Sequence, residues 1–213
     1  MTWLAIDTTG KDCTAALCFG NGDALVSSDP IGRGHAEHLA PMVAALLAQA
    51  GLAPSSLSRI GVTTGPGSFA GTRVGVAFAR GLALACDAEC VGISNLAVLA
   101  RQAGRHDALA VLHDAKRGEV VLQAWIAGRS RAPERCPVAD LPARLAALAD
   151  AGCVVTGSGT THLPDGFRDL GVTELDPHIL LAMTVELDPA DHPPAPFYAR
   201  PPDAKLPGGL SPA

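Results

Sequence analysis

The stretch TTGPGSFAGTRVGVAFARG, residues 63–81, decides the fold because it joins a strand to a helix through a glycine-rich turn. Gly65-x-Gly67-x-x-Ala70 fits the loose dinucleotide pattern G-x-G-x-x-G/A. A dinucleotide site also needs an acidic residue at the far end of the next strand, and none follows the strand predicted over 90–93. No lysine follows the glycines, which excludes a P-loop. The glycines therefore need another explanation.

Small residues recur every four positions along the helix predicted over 68–86. Gly71, Gly75, Ala79 and Ala83 share one face of that helix, where another backbone can approach closely. This face either packs tightly inside the protein or docks a helix of another chain. The pattern alone leaves both interpretations open.

The rest of the first half surrounds this unit with a βββαβα pattern, which is typical of an α/β fold. Apolar and alternating runs predict strands over 2–7, 13–19, 24–28, 60–64 and 90–93. Helical periodicity predicts helices over 35–50, 68–86 and 94–103. The Asn21-Gly22 pair predicts a tight hairpin between the second and third strands.

The second half begins the same pattern again. The run from Leu109 through Asp114 to Gly118 matches the run from Leu4 through Asp7 to Gly10: an apolar strand ends in an aspartate, and a turn with glycine follows. A helix over 141–149, a strand over 154–157 and a short helix near 178–182 come next. We therefore expect an N-terminal lobe at 1–104, a smaller C-terminal lobe at 105–200 and a proline-rich tail at 201–213.

Composition excludes several classes of protein. Of 213 residues, 48% are hydrophobic and 17% charged, which indicates a folded globular chain. The net charge of −5 argues against strong binding of nucleic acid by this chain alone. The uncharged apolar stretches are shorter than a membrane span and no signal peptide is recognisable, so we expect a cytoplasmic protein without membrane contact.

Two turns are candidates for binding a nucleotide between the lobes. Asp7-Thr8-Thr9 ends the first strand, where a carboxylate can orient a metal-bound water and the following amides can hold phosphate. Side-chain hydrogen bonds in an ordinary turn explain the same residues. Gly157-Ser158-Gly159 lets a backbone approach a nucleotide closely, or is simply a turn. His35 and His38 lack a third ligand, and no catalytic triad or H-E-x-x-H motif is present.

Five segments together carry a resemblance to a known family. They are Asp7-Thr8-Thr9, the glycine-rich block 65–75 with its continuation 79–83, 114–120, and Pro196-Phe-Tyr-Ala-Arg200. In these the chain resembles the TsaB family, the non-catalytic partners of TsaD in bacterial threonylcarbamoyladenosine modification of tRNA. The resemblance implies two RNase H-like lobes of the actin/sugar-kinase/heat-shock ATPase (ASKHA) superfamily, with the second lobe reduced.

The resemblance also implies that the chain is not an enzyme. The transferase TsaD carries two metal-binding histidines one strand after the shared glycine block, and the matching positions here hold Asn95 and Leu99. Leucine cannot coordinate a metal. We therefore expect no catalytic residue, no metal and no cofactor, with Asp7, Thr8, Gly157 and Gly159 as vestiges of a nucleotide site. The alternative is a nucleotide-dependent phosphotransferase or metalloprotease-like enzyme of the same superfamily.

The family further implies how the chain meets its partners. The helices over 35–50 and 68–86 would pack against the equivalent pair of TsaD, or form a homodimer when TsaD is missing. TsaE would join at the TsaB–TsaD junction, and tRNA would be met only through the complex. The residues expected at this interface are Leu39, Met42, Leu46, Gly71, Val74, Gly75 and Phe78, with Arg73 at its rim.

Overall fold

The computed structural model describes residues 1–20, 22–149 and 152–199 and contains two β-sheets, one in each lobe. Asn21 and the tail 201–213, both subjects of prediction, lie outside the described residues. The strands of the first lobe are β1 (Thr2–Asp7), β2 (Cys13–Phe19), β3 (Asp23–Asp29), β4 (Leu57–Gly65) and β5 (Glu89–Ser94). Its helices are α1 (His35–Gln49), α2 (Phe69–Cys86) and α3 (Asn95–Ala103).

The first sheet has the strand order β3-β2-β1-β4-β5. Strands β1, β2 and β3 form an antiparallel meander, whereas β4 and β5 run parallel to β1. Phe19 pairs with Asp23 across the β2–β3 turn, as expected of a hairpin. Parallel strands need a crossover, which α1 and α2 supply. The predicted βββαβα order is confirmed.

The second sheet repeats this plan in shorter form. Its elements are β6 (Ala108–Lys116), β7 (Glu119–Ile126), β8 (Arg129–Ser130), β9 (Glu134–Pro137), α4 (Leu141–Ala149), β10 (Val154–Thr156), β11 (Arg168–Asp169) and, later in the chain, α5 (Pro177–Glu186). The order is β11-β10-β6-β7-β8, with β9 also on β7. Where the first lobe has the 18-residue α2, the second has a five-residue 3-10 helix, Ser158–His162. The predicted α/β fold of two similar lobes, the second reduced, is therefore confirmed.

The two faces of the first sheet are covered by different helices. Because side chains alternate along a strand, Leu4 and Ile6 of β1 pack with α1 and α2, whereas Ala5 packs with α5 on the opposite face. Helix α3 lies between the lobes, since its Val98 packs with the first sheet and its Leu99 with the second.

Helix α5 corrects the predicted lobe boundary. Sequence order assigned it to the C-terminal lobe, but Leu180, Leu181 and Met183 are buried against the first sheet. The guanidinium of Arg59 on β4 donates to the carbonyl of Val185, 2.7 Å away, at the end of α5. The first lobe therefore includes a helix that follows the second sheet in the chain.

Candidate functional site

Backbone amides of the glycine-rich turn before α2 donate hydrogen bonds to other parts of the chain. The amide of Gly65 donates to Oδ1 of Asn95 at 3.1 Å, and the amide of Ser68 donates to the carbonyl of Thr9 at 2.8 Å. The Ser68 hydroxyl accepts from the amide of Gly71 at 3.2 Å and so caps α2. These three amides are therefore bonded within the protein, and the turn joins β4 to α2.

The small-residue stripe of α2 faces inward. A Cβ built on Gly71 would overlap the carbonyl oxygen of Thr8, and one built on Gly75 would overlap the Thr8 hydroxyl. That hydroxyl donates to the carbonyl of Gly71 at 2.7 Å. Ala79 and Ala83 are buried on the same side. The stripe therefore serves internal packing, and the expectation that Gly71 and Gly75 contact a partner is wrong.

The apolar stripe of α1 is also part of the core. Leu39, Met42 and Leu46 are 1%, 6% and 4% exposed and pack against the first sheet. Side chains buried in the folded chain cannot contact a partner, so these three predicted interface residues are corrected to core residues. Val74 and Phe78 are half-buried against the same core.

The outer surface of α1 and α2 is nevertheless apolar. Every exposed residue from position 40 to 48 of α1 is alanine or proline. On α2, Leu84 is 87% exposed, and exposed Ala77 lies between Leu84 and Arg73 on the same side. We call this surface the helical face. Its residues are Ala40, Pro41, Ala44, Ala45, Ala48, Arg73, Ala77, Arg80, Gly81 and Leu84.

Helix α2 is long and apolar enough, by length and composition, to span a membrane, and among the described residues it is the one helix that passes this test. The position of α2 in the fold explains its apolar composition. One side is packed on the first sheet through Gly71, Gly75 and Ala79, and the exposed side carries Arg73 and Arg80. Helices at the core of a globular fold commonly have such a sequence.

Asp7 stands at the inter-lobe cleft, where its carboxylate is held by neighbouring groups. Oδ1 accepts from the Thr9 amide at 2.9 Å, the Thr9 hydroxyl at 2.6 Å and the Thr63 hydroxyl at 2.7 Å. Nδ2 of Asn95 in turn donates to the Thr9 hydroxyl at 2.6 Å. The buried Thr8 side chain donates its hydroxyl hydrogen bond to the backbone of α2. This network fixes the joint between β1, β4 and α3.

The cleft itself encloses about 440 Å³ and is predominantly acidic. Carboxylates of Asp7, Asp12 and Glu174 line it together with a single ammonium, that of Lys11. Phosphate groups would therefore meet net repulsion there, unless a bound cation neutralised it.

The glycines of the 157–159 turn have a structural reason. A Cβ on Gly157 would overlap the carbonyl oxygen of Leu112, and one on Gly159 would lie 2.8 Å from the Leu112 Cβ. Gly157 also has φ of 101°, a conformation that favours glycine. The two glycines thus let the 3-10 helix pack on β6.

Sequence reasoning missed one pair of polar side chains in the cleft. The Ser158 hydroxyl lies 3.5 Å from Nδ1 of His113, and both residues line the cleft. Burial lowers the pKa of His113 below its usual value, against the opposing effect of the Asp114 charge. The Asp114 carboxylate instead accepts a hydrogen bond from Nζ of Lys116, 2.7 Å from Oδ2, and does not orient the imidazole of His113. The pair therefore lacks the third member of a catalytic triad.

Comparison with known proteins identifies the family. The family model described as "TsaD: tRNA N6-adenosine threonylcarbamoyltransferase" matches residues 30–151. The chain is 36% identical over 103 residues to the Haemophilus influenzae "tRNA threonylcarbamoyladenosine biosynthesis protein TsaB", covering 48% of this chain and 43% of that protein. A solved Pseudomonas aeruginosa structure, described as an uncharacterized protein with similarity to peptidase YEAZ, is 31% identical with a TM-score of 0.75, covering 93% of this chain and 99% of the other. The chain belongs to the TsaB family.

The likeness to the TsaB family differs in extent between sequence and structure. The Escherichia coli TsaB is 35% identical over 124 residues, covering 56% of this chain and 53% of that protein. The chain thus matches about half the length of the curated TsaB relatives. YeaZ from Pseudomonas aeruginosa is 29% identical with a TM-score of 0.73, covering 92% of this chain and 99% of the other.

The two positions that the resemblance equates with the metal histidines of TsaD have other roles in this TsaB-family chain. Asn95 bonds to Gly65 and Thr9, and Leu99 is buried against the second sheet. Within residues 1–20, 22–149 and 152–199, no group of three His, Cys, Asp or Glu side chains is placed to hold a metal ion. His35 is buried and His38 is exposed.

We expect the cleft to bind ATP with magnesium only weakly, with a dissociation constant above about 1 mM. The reason is the net negative charge of the cleft and the bonded state of the turn before α2. Isothermal titration calorimetry of the purified chain with MgATP measures this. Micromolar binding that disappears in Asp7→Ala would contradict the expectation and favour the phosphotransferase alternative.

Proposed function

We propose that this chain is a non-catalytic subunit of the threonylcarbamoyladenosine pathway that binds TsaD and activates it. TsaD would transfer the threonylcarbamoyl group to the adenosine next to the anticodon of tRNAs that read codons beginning with adenine. Membership of the TsaB family supports this, since curated relatives are named for the biosynthesis of that nucleoside. The helical face is the observation that carries the binding role.

The helical face has the properties of a surface that receives another pair of helices. Alanine and glycine side chains allow two helices to approach closely, and exposed Leu84 supplies apolar area to bury. Arg73 and Arg80 are the charged residues that α2 exposes on this side, as a partly polar rim requires. Two helices of TsaD packed across α1 and α2 would form a four-helix contact.

The other partners follow from the same arrangement. TsaE would bind at the junction of the two proteins, and the chain would meet tRNA only as part of the complex. In the absence of TsaD, a second copy of the chain would cover the helical face and give a homodimer. The chain would act in the cytoplasm, where tRNA modification takes place.

The proposal is tested by producing the chain together with TsaD from the same organism and separating the products by size-exclusion chromatography. We expect both proteins to elute together at the size of a complex, and TsaD to gain activity on tRNA when the chain is added. Separate elution at micromolar concentrations, with unchanged TsaD activity, would refute the proposal.

A further inference from the structure

The last described segment of the chain, residues 187–199, returns to the first lobe after α5. The amide of Gly92 donates to the carbonyl of His192 at 2.8 Å, and the amide of Phe197 donates to the carbonyl of Thr64 at 2.7 Å. A Cβ on Gly65 would lie 2.7 Å from the Phe197 carbonyl oxygen. Backbone contacts at these two strands hold the segment beside the glycine-rich turn.

This course brings aromatic side chains to the first turn of α2. The rings of Phe69 and Tyr198 are 4.8 Å apart between centroids, and the Arg73 guanidinium lies 5.2 Å from the centroid of Phe69. We call Phe69, Phe197 and Tyr198 the aromatic cluster. They are 42%, 37% and 37% exposed. Phe69 and Tyr198, whose rings are in contact, and Phe197, next to Tyr198 in the chain, therefore leave apolar area in contact with water.

Anchoring of the segment does not explain the exposed rings. The bonds to Gly92 and Thr64 are made by the backbone, so they do not depend on which side chains follow. A tyrosine that served only packing would be covered more fully, with its hydroxyl bonded to the protein. The Tyr198 ring contacts the Phe69 ring at a tilt of 40°, and each residue leaves more than a third of its surface exposed.

The aromatic cluster continues the helical face. Phe69, Arg73 and Ala77 follow one another at intervals of four residues on α2, and all three are exposed. Arg80 is exposed on the same side of the helix. In the described part of the chain, neither Arg73 nor Arg80 has a carboxylate within ion-pairing distance. In the described residues, the surface thus presents the Phe69 ring beside Arg73, with Arg80 further along α2, and neither cation has a carboxylate partner.

We propose that the aromatic cluster is a second anchor of the same partner interface. The rings would enter an apolar pocket of the partner chain, and a carboxylate beside that pocket would face Arg73. Buried aromatic and arginine side chains dominate binding in many interfaces, which fits this composition. The inference rests on the proposed function, because the occupant is the partner that covers the helical face.

The sole tyrosine of the chain makes this directly measurable. Full-length chain labelled with 3-fluorotyrosine should give one ¹⁹F resonance from Tyr198, and adding unlabelled TsaD should shift or broaden it beyond the effect of slower tumbling. A resonance that keeps its chemical shift while chromatography shows the complex would overturn the inference and leave the proposed function standing.

Affinity provides an independent test. Tyr198→Ala should weaken binding of TsaD about tenfold while lowering the melting temperature of the chain by no more than about 4 °C, and Tyr198→Phe should retain the affinity. Val185→Ala is the control, because Val185 is also 37% exposed but lies on α5, across the first sheet. Equal affinities of Tyr198→Ala and Val185→Ala would refute the inference. Absence of wild-type binding would refute the proposed function and the inference together.

Discussion

Gly71→Ala is expected to destabilise the folded chain by about 3 kcal/mol, the larger of the stability changes that the structure predicts. The added methyl group would overlap the backbone carbonyl of Thr8, directly after β1, and a buried backbone atom there cannot move aside cheaply. The gain in helix propensity, about 1 kcal/mol, offsets only part of this. Urea unfolding followed by circular dichroism gives the free energy.

Gly81→Ala is the matched control for this prediction. It makes the same substitution in the same helix, but a Cβ on Gly81 meets no atom within 4 Å. We therefore expect a stabilisation of about 0.5–1 kcal/mol. If both variants changed the unfolding free energy in the same direction by similar amounts, the inward placement of the α2 stripe would be wrong.

Ala77→Arg is expected to weaken binding of TsaD at least about 100-fold, since a long charged side chain would stand in the middle of the helical face. Ala77 is exposed on α2, so the isolated chain should keep its stability to within about 0.5 kcal/mol. Titration of TsaD by fluorescence anisotropy or calorimetry measures the affinity, and thermal unfolding checks the fold.

Ala147→Arg is the control for the binding experiment. Ala147 is an exposed helical alanine of α4 in the second lobe, so the substitution adds the same side chain and charge away from the helical face. It should bind TsaD like the natural chain. Full affinity in Ala77→Arg would exclude the helical face as the docking surface. Gly75→Arg would not be informative, because the buried Gly75 faces Thr8 and the variant would disturb the fold.

The sequence predicted the elements of the first lobe closely. The bounds of β1 and β2 are those predicted, α2 begins one residue after its predicted start with Ser68 as its cap, and Leu141–Ala149 is helical as expected. These elements are set by local periodicity, capping and turn residues, which the chain carries in its own order. The short strands β8, β9 and β11 were missed, because two to four residues show no periodicity.

The interface predictions for Leu39, Met42, Leu46, Gly71 and Gly75 failed for a different reason. Periodicity shows that Leu39, Met42 and Leu46 share a face of α1 and that Gly71 and Gly75 share a face of α2, but it does not say what covers each face. In the fold the first sheet covers both, and the exposed side of the two helices consists largely of alanines, which carry no apolar signal of their own, together with Leu84, Arg73 and Arg80.

By itself the sequence determined the α/β class, the repeated βββαβα order, the family resemblance and the loss of the metal histidines. Only the tertiary structure decided that the glycine stripe packs on Thr8, that α5 returns to the first sheet and that Tyr198 meets Phe69. Local pattern fixes which residues lie on the same side of an element. Contacts between residues as far apart as 69 and 198 exist only once the elements are packed, because no local rule encodes them.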